Sequence, residues 1–147
     1  YREGDLLYRS VTSATTAEGG RGRNVVPDTF TLNLNHRFTP DQSLEGAESY
    51  LRALVGEDAL VECTDRSPSA PTFRDHHLVK KLVDSGVVAI ESKQAWTDVA
   101  RFASMGVPAV NFGPGVNAQA HQKNEWTLLP LLEEGDLILR RFLSSTA

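Results

Sequence analysis

Between Phe30 and Phe38 the chain alternates without a break. Phe30, Leu32, Leu34, His36 and Phe38 take the even positions, and Thr31, Asn33, Asn35 and Arg37 lie between them. Successive side chains of a strand point to opposite faces, so this segment predicts a strand with one apolar and one hydrogen-bonding face. Later segments behave differently. The short runs Val87–Ile90 and Pro108–Phe112 are apolar almost throughout and are interleaved with helical patterns, as expected of a parallel sheet buried under helices. The chain is therefore constrained to an α/β fold, with an antiparallel α+β part leading into a parallel α/β part.

Local signals fill in the elements. Tyr8–Thr16 and Val25–Phe38 read as two antiparallel strands joined through the turn "EGGRGR". A helix follows, with Thr39 or Ser43 as N-cap, Pro40 near its first turn, Leu44, Ala47, Leu51 and Leu54 at helical spacing, and Gly56 as its stop. "ALVECTD" reads as a third strand, and "DRSPSAP" as a connector. Beyond it, Leu78, Val79, Leu82 and Val83 mark a helix ending at Gly86, and a second helix spans about Asp98 to Met105. A last helix from about Thr127 places Leu128, Leu132, Leu139 and Phe142 on one stripe, with Pro130 in its tolerated first turn.

Composition narrows the function. With 147 residues and 40% hydrophobic content, the chain has material for one ordinary domain or two small lobes. A net charge of −4 argues against nucleic acid or an anionic membrane as the main partner and leaves small molecules and proteins. The single cysteine, Cys63, excludes an internal disulfide and fits a reducing, cytoplasmic setting. No apolar run approaches the roughly 20 residues that span a bilayer. The polar start Tyr1-Arg2-Glu3-Gly4-Asp5, without an initiator Met or a signal-peptide pattern, is expected to be a cut end.

In open α/β sheets, ligands bind beyond the carboxyl ends of the strands. Two loops leave the apolar strands there, "ESKQAWTD" and "GPGVNAQAHQKNE", and they offer Trp96, Thr97, Asp98, Asn117, His121, Asn124 and Glu125 to one cleft. The glycines of Gly113-Pro114-Gly115 let backbone approach a ligand closely. On these residues alone His121 stays open between a metal ligand and a surface histidine, and Arg37 between a ligand contact and a surface arginine paired with an acid.

The segments "WTDVARFASMGVPAVNFGPG", "AHQKNEW" and, upstream, "NVVPDTFTLNLNHRF" carry a resemblance. Nearly the whole chain is similar to the C-terminal part of succinyl-diaminopimelate desuccinylases of the actinobacterial type. These belong to a dinuclear zinc aminoacylase and peptidase family that includes acetylornithine deacetylases and carboxypeptidases. The resemblance implies that residues 1–66 are the later part of a lid domain that also forms a homodimer, and that residues 67–147 are the last segment of the catalytic α/β domain.

It also implies a chemistry. Two zinc ions, with cobalt as a substitute, activate a water that attacks an amide, a glutamate acting as base, and the substrate is a small molecule carrying carboxylates. His121 corresponds to one zinc ligand; the His-x-Asp motif, the bridging Asp and the Glu-Glu pair lie upstream of Tyr1 in the family's order. The chain alone is thus expected to be inactive and to hold no catalytic residue. Arg37 and Asn24 match lid residues that contact substrate, and Thr97 and Asn117 are further substrate contacts. Glu125 is a candidate partner for the second ring nitrogen of His121, or else a first-turn acid favouring the next helix N-terminus. His36 is expected to be a packed strand residue, His76 and His77 exposed at a helix start, Glu133 and Glu134 a solvated surface, and Asp98 a helix cap. Acetylornithine deacetylase, dipeptidase and a non-catalytic dimerisation or binding fragment are the competing functions.

Overall fold

The computed structural model describes residues 1–144. It is a mixed α/β structure with two small antiparallel sheets and four α-helices among the described residues. Arg2–Glu3 (β1) and Leu6–Leu7 (β2) form a minimal hairpin, turned at Gly4, whose φ of 60° suits a residue without Cβ. Glu3 accepts from Thr72 and Asp5 pairs with Arg74, so the start of the chain is pinned to the segment entering the first helix of the second half.

The alternating segment forms a strand as expected. Val11–Gly19 (β3) pairs with Phe30–Arg37 (β4), antiparallel, from Val11↔Arg37 to Gly19↔Phe30. The register shifts between Ala14 and Thr16. The extra residue, Thr15, is satisfied by Asn33, whose side-chain amide donates to its hydroxyl at 2.6 Å. Gly19 is required where it stands, because a Cβ there would lie 2.7 Å from the ring of Phe30. Only the lower half of the apolar face is covered: Leu34, His36 and Phe38 are half-buried, while Phe30 and Leu32 are exposed.

What covers that half is α1, Leu44–Val55. Ser43 Oγ accepts from the amide of Gly46 at 3.0 Å, and Gly56 ends the helix at a φ of 74°. His36 stacks on Tyr50 of this helix at 5.0 Å between ring centroids and bonds Thr12 of β3 at 2.8 Å through Nδ1. The packed reading of His36 therefore holds. Burial pushes its imidazole below the ordinary histidine range, and Gln42 opposes that shift in part. Its Nε2 and Oε1 of Gln42 are both buried without a well-formed hydrogen bond.

Three expected strands are not strands. Residues 59–65, 87–90 and 108–112 carry no ladder, and the predicted parallel sheet is absent among the described residues. An apolar run encodes a preference for burial on both faces, but pairing needs a neighbouring strand that the described residues do not supply. Val88 is accordingly 86% exposed and Leu60 fully exposed. The segment around Val61 is held to α1 by side chains instead: Arg52 donates to the Val61 carbonyl at 3.1 Å, and Glu48 grips both Arg52 and Arg66 at 2.7 Å. Those guanidinium contacts, Arg52 first, hold the Glu48 carboxyl below its usual range.

The second half is built on helices. His77–Asp84 (α2), Val99–Ser104 (α3) and Leu129–Ser144 (α4) follow one another, with Pro130 in the first turn of α4. His77 is exposed, whereas His76 is the N-cap of α2, its Nδ1 accepting from the amide of Leu78 at 3.3 Å. Asp98 stands at the N-cap of α3 but makes no capping bond, so that expected role is not realised. The expected stripe on α4 is also displaced. Leu128, Leu132 and Leu139 are exposed, and the face turned inward carries Leu131, Gly135, Ile138 and Phe142. It packs on α2, where Lys81 lies over the ring of Phe142 at 5.2 Å and Arg141 reaches the Ser85 carbonyl at 3.4 Å. Glu133 and Glu134 are exposed, as expected.

Candidate functional site

Two loops carry most of the predicted site residues, 91–98 ahead of α3 and 113–128 ahead of α4. The first is anchored by side chains that imitate a strand. Gln94 donates to the Leu7 carbonyl at 2.8 Å and accepts from the Arg9 amide at 3.1 Å, and Ser92 Oγ donates to the same carbonyl at 2.6 Å. The residues entering β3 are thus tied to the loop that leads to Thr97. Between these two anchors, half-buried Lys93 donates to Oδ1 of Asn117 at 2.7 Å and so joins the two loops.

Thr97 lies at an open cleft of about 470 Å³, lined by Trp96, Thr97, Asp98, Val99, Phe102, Ala109, Val110 and Asn111. Its hydroxyl accepts from the side-chain amide of Asn111 at 3.1 Å. Arg101 covers the Trp96 ring at 5.3 Å and also approaches Asp98 at 3.8 Å. The cleft is open to solvent and mainly apolar, with Thr97, Asp98 and Asn111 as its polar lining. Asn117 and His121 are not among its lining residues; Asn117 joins this loop only through Lys93.

The second loop turns at Gly113-Pro114-Gly115. Gly115 has a φ of 101°, and a Cβ there would meet Thr127 Oγ1 at 3.0 Å. A short 3₁₀ turn, Asn117–Gln119, then delivers His121. Its φ of 65° is the one positive value outside glycine among the described residues. That region costs a side chain with Cβ roughly 1 kcal/mol, a strain that persists only where the surroundings hold it and that gathers at functional positions. Glu125 Oε2 holds it, accepting from the backbone amide of His121 at 3.1 Å. The expected bond from Glu125 to the imidazole is therefore replaced by one to the backbone. The ring is exposed, and neither nitrogen has a hydrogen-bond partner among the described residues.

Asn24 and Arg37 lie apart. Arg37 ends β4 opposite Val11, close in sequence to the Arg9 anchor, while Asn24 belongs to the connection at the other end of the hairpin. The rise of a strand separates Phe30 from Arg37 by about 24 Å. Both residues are exposed. Lys93, Ser92, Gln94 and Asn111 were not among the expected site residues, because their roles are contacts across long stretches of sequence.

Known proteins are similar to this sequence over almost its whole length. Peptidase family M20/M25/M40 matches residues 8–145. This chain belongs to that family. Within it, a Mycobacterium tuberculosis protein provisionally named succinyl-diaminopimelate desuccinylase DapE is 36% identical over 137 residues, covering 92% of this chain and 39% of that protein. Succinyl-diaminopimelate desuccinylase of Corynebacterium glutamicum is 33% identical over 144 residues, covering 95% of this chain and 39% of its own length. Acetylornithine deacetylase of Myxococcus xanthus is 28% identical over 134 residues. The M20/M25/M40 chain described here spans about two fifths of the length of the two desuccinylases. Among its described residues no group of three His, Cys, Asp or Glu is placed to hold a metal, and no helix is long and apolar enough to cross a membrane.

Proposed function

We propose that this chain is part of a zinc-dependent amidohydrolase that cleaves N-succinyl-LL-2,6-diaminopimelate to succinate and LL-2,6-diaminopimelate. The observation that carries the reading is the 33–36% identity to two desuccinylase relatives across more than nine tenths of the chain, with His121 held by Glu125 in a strained turn. Residues 1–66 act as the later part of a lid that also dimerises, and residues 67–147 as the last segment of the catalytic domain.

His121 suits a metal in one respect and falls short in another. Its imidazole is exposed with both nitrogens uncommitted among the described residues, so a lone pair is available to one zinc. A single imidazole closes no site, and the remaining ligands and the general base come from other parts of the enzyme. Zinc held there would supply an acidified water and Lewis-acid polarisation of an amide. This chain's own residues bind and orient. Arg37 offers a planar fork suited to both oxygens of a substrate carboxylate. Thr97 offers a hydroxyl at the cleft and Asn117 an amide on the neighbouring loop, whereas Asn24, beyond the far end of the hairpin from Arg37, does not share one small substrate with it within this chain. The chain by itself is inactive in this reading, since metals, base and oxyanion groups act as one unit.

The test is a parallel assay of the complete enzyme with zinc on N-succinyl-LL-diaminopimelate, N-acetylornithine and a dipeptide. Preference for the succinyl substrate is the expected result. Equal or better turnover of either of the other two would overturn the assignment and leave the family unaffected.

A further inference from the structure

We propose that Lys93 is a carboxylate-binding and specificity-determining residue of the site, a role that rests on the amidohydrolase reading above. Its ammonium carries three donors, of which one is committed to the neutral Oδ1 of Asn117 at 2.7 Å. No carboxylate among the described residues lies within ion-pair distance of it, although Arg21, Arg52, Arg66, Arg74, Lys80 and Arg140 each meet one inside the chain. The residue as a whole is half-buried, with its aliphatic stem against the loop and its ammonium left at an exposed position where a ligand can reach it.

The position is also built. Ser92 and Gln94, the residues on either side of Lys93, are both bonded to the backbone of Leu7 or Arg9, which fixes the peptide that carries it. A flexible side chain on an anchored peptide, held by one neutral partner, keeps two donors for a ligand. Lys93 stands four residues before Thr97, and its partner Asn117 four residues before His121. Four residues reach at most about 14 Å even when fully extended. A carboxylate gripped by Lys93 thus leaves the rest of a small molecule within range of both the Thr97 cleft and His121. An ammonium is a point charge rather than a fork, so it donates to a carboxylate without fixing the plane of that group and tolerates several orientations. Lys93 would therefore select for an acid at that end of the substrate without fixing its exact pose.

The test uses the full-length enzyme and succinate as probe. Lysine acetylation in the presence and absence of succinate, read by peptide mass spectrometry, should show Lys93 protected and the exposed Lys80 unchanged. Kinetics should show Lys93→Met raising KM for the succinyl substrate at least tenfold with kcat little altered, and Lys93→Arg recovering part of the loss. Absence of protection at Lys93 would overturn the proposal, as would a Lys93→Met enzyme with wild-type KM or one that loses kcat alone. The two readings fail separately. Succinate protection without turnover of the succinyl substrate would retain Lys93 and sink the substrate assignment, and turnover without protection would do the reverse. Because protection is measured on the wild-type protein, a Lys93→Met variant that fails to fold leaves the proposal testable.

Discussion

Gly135 and Pro114 touch. A Cβ built on Gly135, on the buried face of α4, would lie 3.3 Å from Cβ of Pro114. The turn at residues 113–115, which starts the loop leading to His121, therefore rests on bare helix backbone. Gly135→Val should lower stability by about 1–3 kcal/mol, because a branched side chain forces the turn and the helix apart. Gly135→Ala should stay within about 1 kcal/mol of the parent, since its contact is tight but alanine favours helix by a comparable amount. Denaturant titration of the two variants checks this; a Gly135→Val protein as stable as the parent would mean that the turn is not held there.

That contact also shows where sequence reading stops. The hairpin and α1 were legible because alternation, the Ser43 cap and the Gly56 stop are local signals. On α4 the leucines at 128, 132 and 139 drew the stripe, yet the buried face carries Gly135 and Ile138, with Pro114 lying where a Cβ of Gly135 would stand. Apolar runs at 87–90 and 108–112 announce a wish for burial but not a partner, so the expected parallel sheet does not appear. The same limit applies at the site. His121 was visible as a residue type, but its left-handed backbone, its bond to Glu125 and the Lys93–Asn117 bridge depend on how the chain folds back.

Acid should loosen the packing of the hairpin on α1. Burial holds the folded-state pKa of His36 below its ordinary value, so the unfolded chain takes up the proton first as pH falls. The contribution of the neutral ring is then fully present above the unfolded pKa of about 6.5 and is lost as pH drops below it. Stability measured from pH 8 to pH 5 should decline over that window, and His36→Gln should flatten the decline. A parent and variant with superimposable pH profiles would remove His36 from the account.

Arg37→Ala in the complete enzyme should weaken use of a substrate whose carboxylate it grips. Hydrogen bonds to charged groups are worth about 1.5–3 kcal/mol, so kcat/KM should fall by roughly 10- to 100-fold. The loss should be smaller for an N-acetyl substrate, which lacks the succinyl carboxylate. Equal losses on both substrates would indicate that Arg37 serves the fold of β4 and not the ligand.

His121→Ala tests the metal assignment most directly. In the proposed site its imidazole serves one of two zinc ions, and no group of three ligating side chains among the described residues could hold that ion without it. Zinc measured on the dialysed complete enzyme should fall by about one equivalent per active site. Outer-sphere partners of a metal already account for about 10–100-fold in affinity or activity, so loss of the ligand itself should reduce kcat at least that far. Glu125→Gln offers the contrast. Because Glu125 holds the backbone of His121 and not its ring, that variant should keep its zinc content and lose activity by less. Unchanged zinc stoichiometry in His121→Ala would show that the strained turn serves something other than a metal.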